Sequence, residues 1–231
     1  MADEHASQSL FAMIATVAPA LSTYTQQRVV DELWHRPGLC QRDRALVTVS
    51  ALVARNATLA YPHYFNKALD CGLTADEIGE LLTHLGFYAS LANAFGAIGA
   101  VREVFAQRGV TPDLQAAAAP RLRNLEEVVP AALQDALFGL QQADAVSPAL
   151  VHFTDELLLQ DLWRRPGLAP RERALATLAA WSALGQVERL PAALALAMHH
   201  GLTQGEFGEA LAHIAFYCGW GWAQKAALAV A

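Results

Sequence analysis

Apolar residues recur at three- and four-residue spacing along most of the chain, and no strand-like alternation lasts longer than four residues. Leu46, Val49, Leu52 and Val53 make a stripe that predicts a long helix over 42–57, entered from Leu39-Cys40-Gln41. Thr58 to Pro62 interrupt it, and Pro62 suits the first turn of a new helix that stops at Gly72. Thr74 and Glu77 then form a capping box for a helix carrying Ile78, Leu81, Leu82, Leu85 and Tyr88. A further helix is expected over 91–107, closed by Gly109. Upstream, the pattern predicts a helix over 8–20 ending at Pro19. A second is expected over 22–35, capped by Ser22 or Thr23 and stopped before Arg36-Pro37-Gly38. Residues 110–150 read as a connection, broken at Ala116–Pro120, with one or two helices over 121–143 interrupted by Pro130.

The plan then starts again. Arg36-Pro-Gly-Leu-Cys-Gln-Arg42-Asp-Arg44-Ala-Leu returns as Arg165-Pro-Gly-Leu-Ala-Pro-Arg171-Glu-Arg173-Ala-Leu, and His84…Tyr88 returns as His213…Tyr217. The offset is 129 throughout, and Leu33–Tyr88 matches Leu162–Tyr217 at 25 of 56 ungapped positions, far above chance, so the unit is duplicated. The second copy is expected to have helices over 149–163 and 171–184, Pro191 for Pro62, Gly201 for Gly72, and a capping box at Thr203 and Glu206. The fold class is all-α: two tandem helical bundles related by a pseudo-two-fold axis. Residues 1–110 hold the first repeat, 111–148 a helical connection and 149–231 the second repeat. Duplicated units tend to pack copy on copy and to close into rings, so a homo-oligomer is expected, a trimer of two-repeat chains forming a pseudo-hexamer.

Composition narrows the function. With 231 residues, 54% hydrophobic and 16% charged, the chain suits close helix packing and a surface partly hidden in an oligomer. A net charge of −6 without basic runs argues against nucleic acid as a partner. No apolar run reaches a membrane span, and Asp3, Glu4 and His5 do not resemble a secretory leader, so a cytoplasmic location is expected. Cys40, Cys71 and Cys218 are scattered, form no C-x-x-C and read as small buried hydrophobes. His199 and His200 have no partners at metal-ligand spacing, so no metal is expected.

The pattern R-x-R-x-L, a helix break, then A-L-x-x-G-L-T-x-x-E-x-x-E-x-x-x-H-x-x-x-Y resembles the carboxymuconolactone decarboxylase family, within the wider AhpD-like group. It is carried by Arg42, Arg44, Leu46, Ala68, Gly72, Thr74, Glu77, Glu80, His84 and Tyr88, and again by the positions 129 later. The peroxidase branch uses C-x-x-C followed by His. Asn56 and Leu59, and Gly185 and Glu188, stand where those cysteines would be, which argues against a thiol peroxidase. The decarboxylase branch has Glu four residues before His. The first copy keeps the histidine, His63, with Leu59 at the glutamate position; the second keeps the glutamate, Glu188, with Ala192 at the histidine position. The resemblance thus implies His63 and Glu188 as catalytic residues, a small lactone or unsaturated organic acid as substrate, and no cofactor.

The residues themselves fit that chemistry. His63 follows Pro62 at a helix start, where the helix dipole favours the neutral imidazole that general acid–base catalysis needs. Tyr61, Tyr64 and Phe65 flank it as walls of a binding pocket. Glu188 would hold a proton if buried, or pair with Arg189 or Arg55 at the surface. Arg44 could take a substrate carboxylate bidentately, or, with Arg42, Arg171 and Arg173, tie helices through Glu77, Glu80, Glu206 and Glu209 in each copy. His84 and His213 share helix faces with Tyr88 and Tyr217 and could line the pocket or sit satisfied in the core. Trp181, Trp220 and Trp222 are unmatched in the first copy, which suggests divergence of one copy towards a pocket and the other towards an interface. The alternative function is a non-catalytic scaffold that binds a small acid or serves assembly.

Overall fold

The computed structural model describes residues 12–139 and 143–231. Among them every regular element is helical. After a helical stretch over 12–17 come α1 (Pro19–Tyr24), α2 (Gln41–Ala54), α3 (Tyr61–Asp70), α4 (Ala75–Tyr88) and α5 (Leu91–Arg108). The connection holds α6 (Leu114–Ala118), α7 (Leu125–Val128) and α8 (Ala131–Phe138). The second repeat supplies α9 (Pro148–Phe153), α10 (Pro170–Leu184), α11 (Leu190–His199), α12 (Gln204–Cys218) and α13 (Trp220–Ala229).

The two long helices α2 and α10 pack on one another at the centre. Every residue of α2 from Asp43 to Ala54 is buried, and α10 is nearly as enclosed. A helix buried all round needs small or apolar side chains on every face, which accounts for the Ala, Val, Ser and Thr content of both. Their hydroxyls are satisfied inside the helix: Thr48 donates to the Arg44 carbonyl at 2.8 Å, Ser50 to Leu46 at 2.7 Å and Thr177 to Arg173 at 3.0 Å. α3 covers α2 and α11 covers α10, whereas α4 also reaches across to α10 and α12 to α2. The repeats therefore exchange helices and share a single hydrophobic cluster.

Gly72 and Gly201 both take φ +92° after their helices, and Gly109 closes α5 at φ +62°. Both capping boxes are present. Several boundaries differ from expectation. Pro19 opens α1 rather than ending a helix, because its fixed φ suits the first turn. Neither Ser22 nor Thr23 is a cap, and the Thr23 hydroxyl donates back to the Pro19 carbonyl at 3.1 Å. The helices expected over 22–35 and 149–163 are each broken into α, π and 3-10 pieces. A short helix, α6, forms where a break was expected, because the Asp113 carboxylate accepts from Gln115 N and Ala116 N. The expectations resting on residues 1–11 and 140–142 lie outside the described residues.

The arginine–carboxylate lattice runs between the repeats as well as within them, which corrects the expectation of one lattice per copy. Arg42 pairs with Glu77 of its own repeat at 2.7 Å and with Glu172 of the other at 2.6 Å. Arg171 pairs with Glu206 at 2.9 Å and Asp43 at 2.8 Å. The two fully buried guanidiniums meet carboxylates of the other repeat: Arg44 meets Glu209 at 3.3 Å and Arg173 meets Glu80 at 2.6 Å. The exchange of α4 and α12 causes this by carrying each carboxylate onto the other repeat's central helix. It also explains the glycines of the two Arg-Pro-Gly turns. A Cβ on Gly38 would lie 2.5 Å from Glu209 Cγ, and one on Gly167 2.8 Å from Glu80 Cγ.

Candidate functional site

Each seam between the repeats carries the same buried polar–aromatic group. At the first, the Trp34 indole donates to the Tyr217 hydroxyl at 2.9 Å, and His213 Nε2 lies 2.6 Å from Thr48 Oγ1. At the second, Trp163 donates to Tyr88 at 2.7 Å, and His84 Nε2 lies 2.8 Å from Thr177 Oγ1. Each threonine hydrogen already goes to a backbone carbonyl, so each histidine donates from Nε2 and leaves Nδ1 as a bare acceptor. Neither Nδ1 has a protein partner. Burial, then the nearby Arg44 cation, pushes His213 down to about 3; burial, then Arg173, holds His84 well below its usual range. Both imidazoles are neutral at pH 7 and are framework, not exposed acid–base groups.

The two seams differ at their mouths. At the first, Tyr64 of α3 stacks beside Trp34 (ring centroids 6.5 Å apart) and meets Tyr217 edge-on at 5.2 Å. The Tyr217 oxygen accepts from Trp34, and the Tyr64 and Tyr217 hydroxyls are hydrogen-bonded to one another. Burial raises the pKa of both phenols, so both are protonated donors. Lys67 Nζ lies 4.2 Å from the Trp34 ring centroid, and His63, exposed near the start of α3, meets the Tyr64 ring at 4.8 Å. Lys67 falls four residues after His63 and three after Tyr64, hence beside each of them on the helix. At the second mouth their counterparts are Ala192, Ala193 and Leu196, and Trp181 packs on Tyr88 at 5.5 Å.

A hollow lies at the loop before each Pro-containing helix. One of 370 Å³ is lined by Asn56 to Ala60, directly before α3; the other, of 230 Å³, is lined by Trp181, Gln186, Glu188 and Arg189, before α11. Asn56 takes φ +52° and its counterpart Gly185 φ +72°. The second loop is held shut from one side. Lys225 donates to the Gly185 carbonyl at 3.0 Å, and Trp222 packs so close that a Cβ on Gly185 would lie 2.2 Å from it.

The structure therefore separates the residues the sequence pointed to. His63 and Tyr64 sit together at the first mouth. Tyr61 and Phe65 are buried in the core, edge-on to one another at 5.8 Å. Arg44 is fully buried, donating to the Leu39 and Arg36 carbonyls at 3.1 and 2.8 Å besides Glu209. His84 belongs to the second seam, stacked on Tyr88 at 4.5 Å. Glu188 is exposed, and its hollow contains no residue of the first mouth. Sequence reasoning passed over Trp34, Lys67 and the cross-repeat role of Tyr217. The identity of Trp34 with Trp163 was the available signal for the first, and the position of Lys67 four residues after His63 for the second. Among the described residues no three His, Cys, Asp or Glu side chains converge as metal ligands, and no helix is long and apolar enough to cross a membrane.

Residues 19–103 and 148–231 each match the Carboxymuconolactone decarboxylase family. The 4-carboxymuconolactone decarboxylase of Acinetobacter baylyi is 34% identical over 82 residues, which is 36% of this chain and 61% of that protein. The chain thus matches less than two thirds of that relative's length. With both repeats matched, and with the doubled all-helical architecture built from them, the chain belongs to the carboxymuconolactone decarboxylase family.

Proposed function

We propose that the protein is a decarboxylase-type lyase acting on a small lactone acid, with chemistry at the first-repeat mouth. The observation that carries this reading is the asymmetry of two otherwise matching seams. Tyr64 and Lys67 lie against Trp34, and His63 against Tyr64, at one, and alanine and leucine stand in their places at the other. A packing role alone would not require three polar side chains in this turn of the helix where the paralogous turn manages with none. Loss of CO2 leaves the electron pair of the broken C–C bond delocalised into the lactone, and the reaction ends when a proton is delivered to carbon. His63 is exposed and so exchanges protons with water; it cycles between imidazolium and imidazole and delivers that proton. The Tyr64 phenol, protonated and hydrogen-bonded to Tyr217, is the donor for the developing oxyanion. Glu188 heads the other mouth, and it serves this one only when a second copy supplies it.

The test is CO2 release from 4-carboxymuconolactone by the wild type, His63→Ala and Glu188→Ala. Removing a general acid–base group costs about 10²–10⁴-fold in kcat. Unchanged turnover in His63→Ala would end the assignment. Absence of turnover in the wild type, with binding retained, would favour the ligand-binding scaffold instead.

For assembly, we propose that a second copy covers the apolar groove of about 810 Å³ between α4 and α5, where Phe87, Leu91, Phe95 and Ile98 are exposed. The matching face of the second repeat exposes Phe216 and Trp220 at the positions of Phe87 and Leu91. A face that meets its own pseudo-equivalent on a neighbour closes a ring.

A further inference from the structure

We infer that Lys67 is the carboxylate anchor of the first-repeat mouth, and that the carboxylate it holds is one that stays on the product. The inference rests on the reading above for the location of the site, and it adds the residue that selects the ligand.

Lys67 lies on α3 one turn after His63, with its ammonium 4.2 Å from the Trp34 ring centroid. Trp34 is buried and fixed from behind by its bond to Tyr217, so the cation has a rigid seat. Arg42, Arg44, Arg108, Arg165, Arg171 and Arg173 all meet carboxylates. Lys67 meets none at ion-pair distance among the described residues. Asp70, one turn on, is engaged by Arg108 at 2.7 Å. The fold does not need an ammonium here, because Leu196 fills the matching position fully buried and Trp163 packs there without a cation. A half-buried amine seated on an aromatic face, three residues after Tyr64 on the same helix, is a receptor for a carboxylate.

The identity of that carboxylate follows from transition-state logic. An ion pair with the departing carboxylate would be strongest in the ground state and would fade as CO2 forms, which slows the reaction. An ion pair with a carboxylate remote from the broken bond is kept throughout and contributes equally to substrate, transition state and product binding. Lys67 therefore sets KM and selects acids that retain a second carboxylate after the reaction.

The test is calorimetric titration with a butenolide-acetic acid, which lacks the departing group, and with its methyl ester. The proteins are the wild type, Lys67→Met, Lys67→Arg and His63→Ala, each checked by circular dichroism for an unchanged fold. The wild type and His63→Ala are expected to bind the acid at least roughly tenfold tighter than the ester, Lys67→Arg to keep most of that preference, and Lys67→Met to lose it. With 4-carboxymuconolactone, Lys67→Met should raise KM roughly tenfold or more with little change in kcat. Equal binding of acid and ester by the wild type, no binding of either, or an acid preference that survives in Lys67→Met would overturn the inference. Because His63→Ala is read by binding, an error in the proton-transfer role leaves this result standing.

Discussion

Lowering the pH from 7.5 to 5.0 should destabilise this fold through two histidines that take no part in the proposed chemistry. His213 is held at about 3 against an ordinary value of 6.5, first by burial and then by the neighbouring Arg44 cation; Glu209 opposes this weakly. His84 is lowered in the same sense by burial and Arg173. In both cases the unfolded chain takes up a proton that the folded chain refuses. Stability is therefore full above the unfolded pKa of 6.5 and falls as pH drops below it, for His213 through the window down to about 3. At pH 5.0 the unfolded state gains about 2 kcal/mol per refused proton, so the pair costs about 4 kcal/mol. That is a large share of a typical 5–15 kcal/mol. Equilibrium urea unfolding at pH 7.5, 6.5, 5.5 and 5.0 at fixed protein concentration measures it. Above pH 5.0 Glu209 adds little to the slope, since its contribution, from a carboxyl held at about 2 by its bond to Arg36, is lost only below the ordinary value of 4.5. His213→Gln and His84→Gln should each remove about half of the slope, whatever they cost at pH 7.5. A wild-type stability that is flat from pH 7.5 to 5.0, or a slope unchanged in the double variant, would refute the buried neutral assignment.

Two further outcomes test the lattice and the assembly. Glu80→Ala leaves the fully buried Arg173 guanidinium unpaired and should cost about 3–5 kcal/mol in urea unfolding, whereas Glu32→Ala breaks only an exposed pair with Arg28 and should cost under about 1 kcal/mol. Phe95→Asp places a charge in the apolar groove and should shift the sedimentation coefficient to that of a single chain without unfolding it; an unchanged assembly would place the interface elsewhere.

The helical plan was legible because its punctuation is local. Pro62, Gly72, Thr74 and Glu77 act within a few residues of themselves, and both copies repeat them. The exchange of α4 and α12 was not legible, since Arg42–Glu77 within a repeat and Arg173–Glu80 between repeats look alike in a sequence. The same holds at the site. His63 and Tyr64 are adjacent in the chain and so were found together, whereas Tyr217 reaches Tyr64 only because the second repeat folds over the first. His84 and Arg44 were natural candidates by residue type. Burial decides their role, and burial is set by which long helix faces which. Lys67 is hard to single out in a sequence, where a lysine in a helical stripe is ordinarily a solvated surface group; the indole beneath it comes from a turn more than thirty residues earlier.

The most direct measurement is the rate of CO2 release from 4-carboxymuconolactone by His63→Ala, with and without added imidazole. The account predicts a fall of about 10²–10⁴-fold that free imidazole partly restores, because the mouth beside Tyr64 would then admit the missing ring. A wild-type rate in the variant, or a loss that imidazole leaves untouched while the fold and acid binding are intact, would contradict a proton-delivering histidine at this mouth.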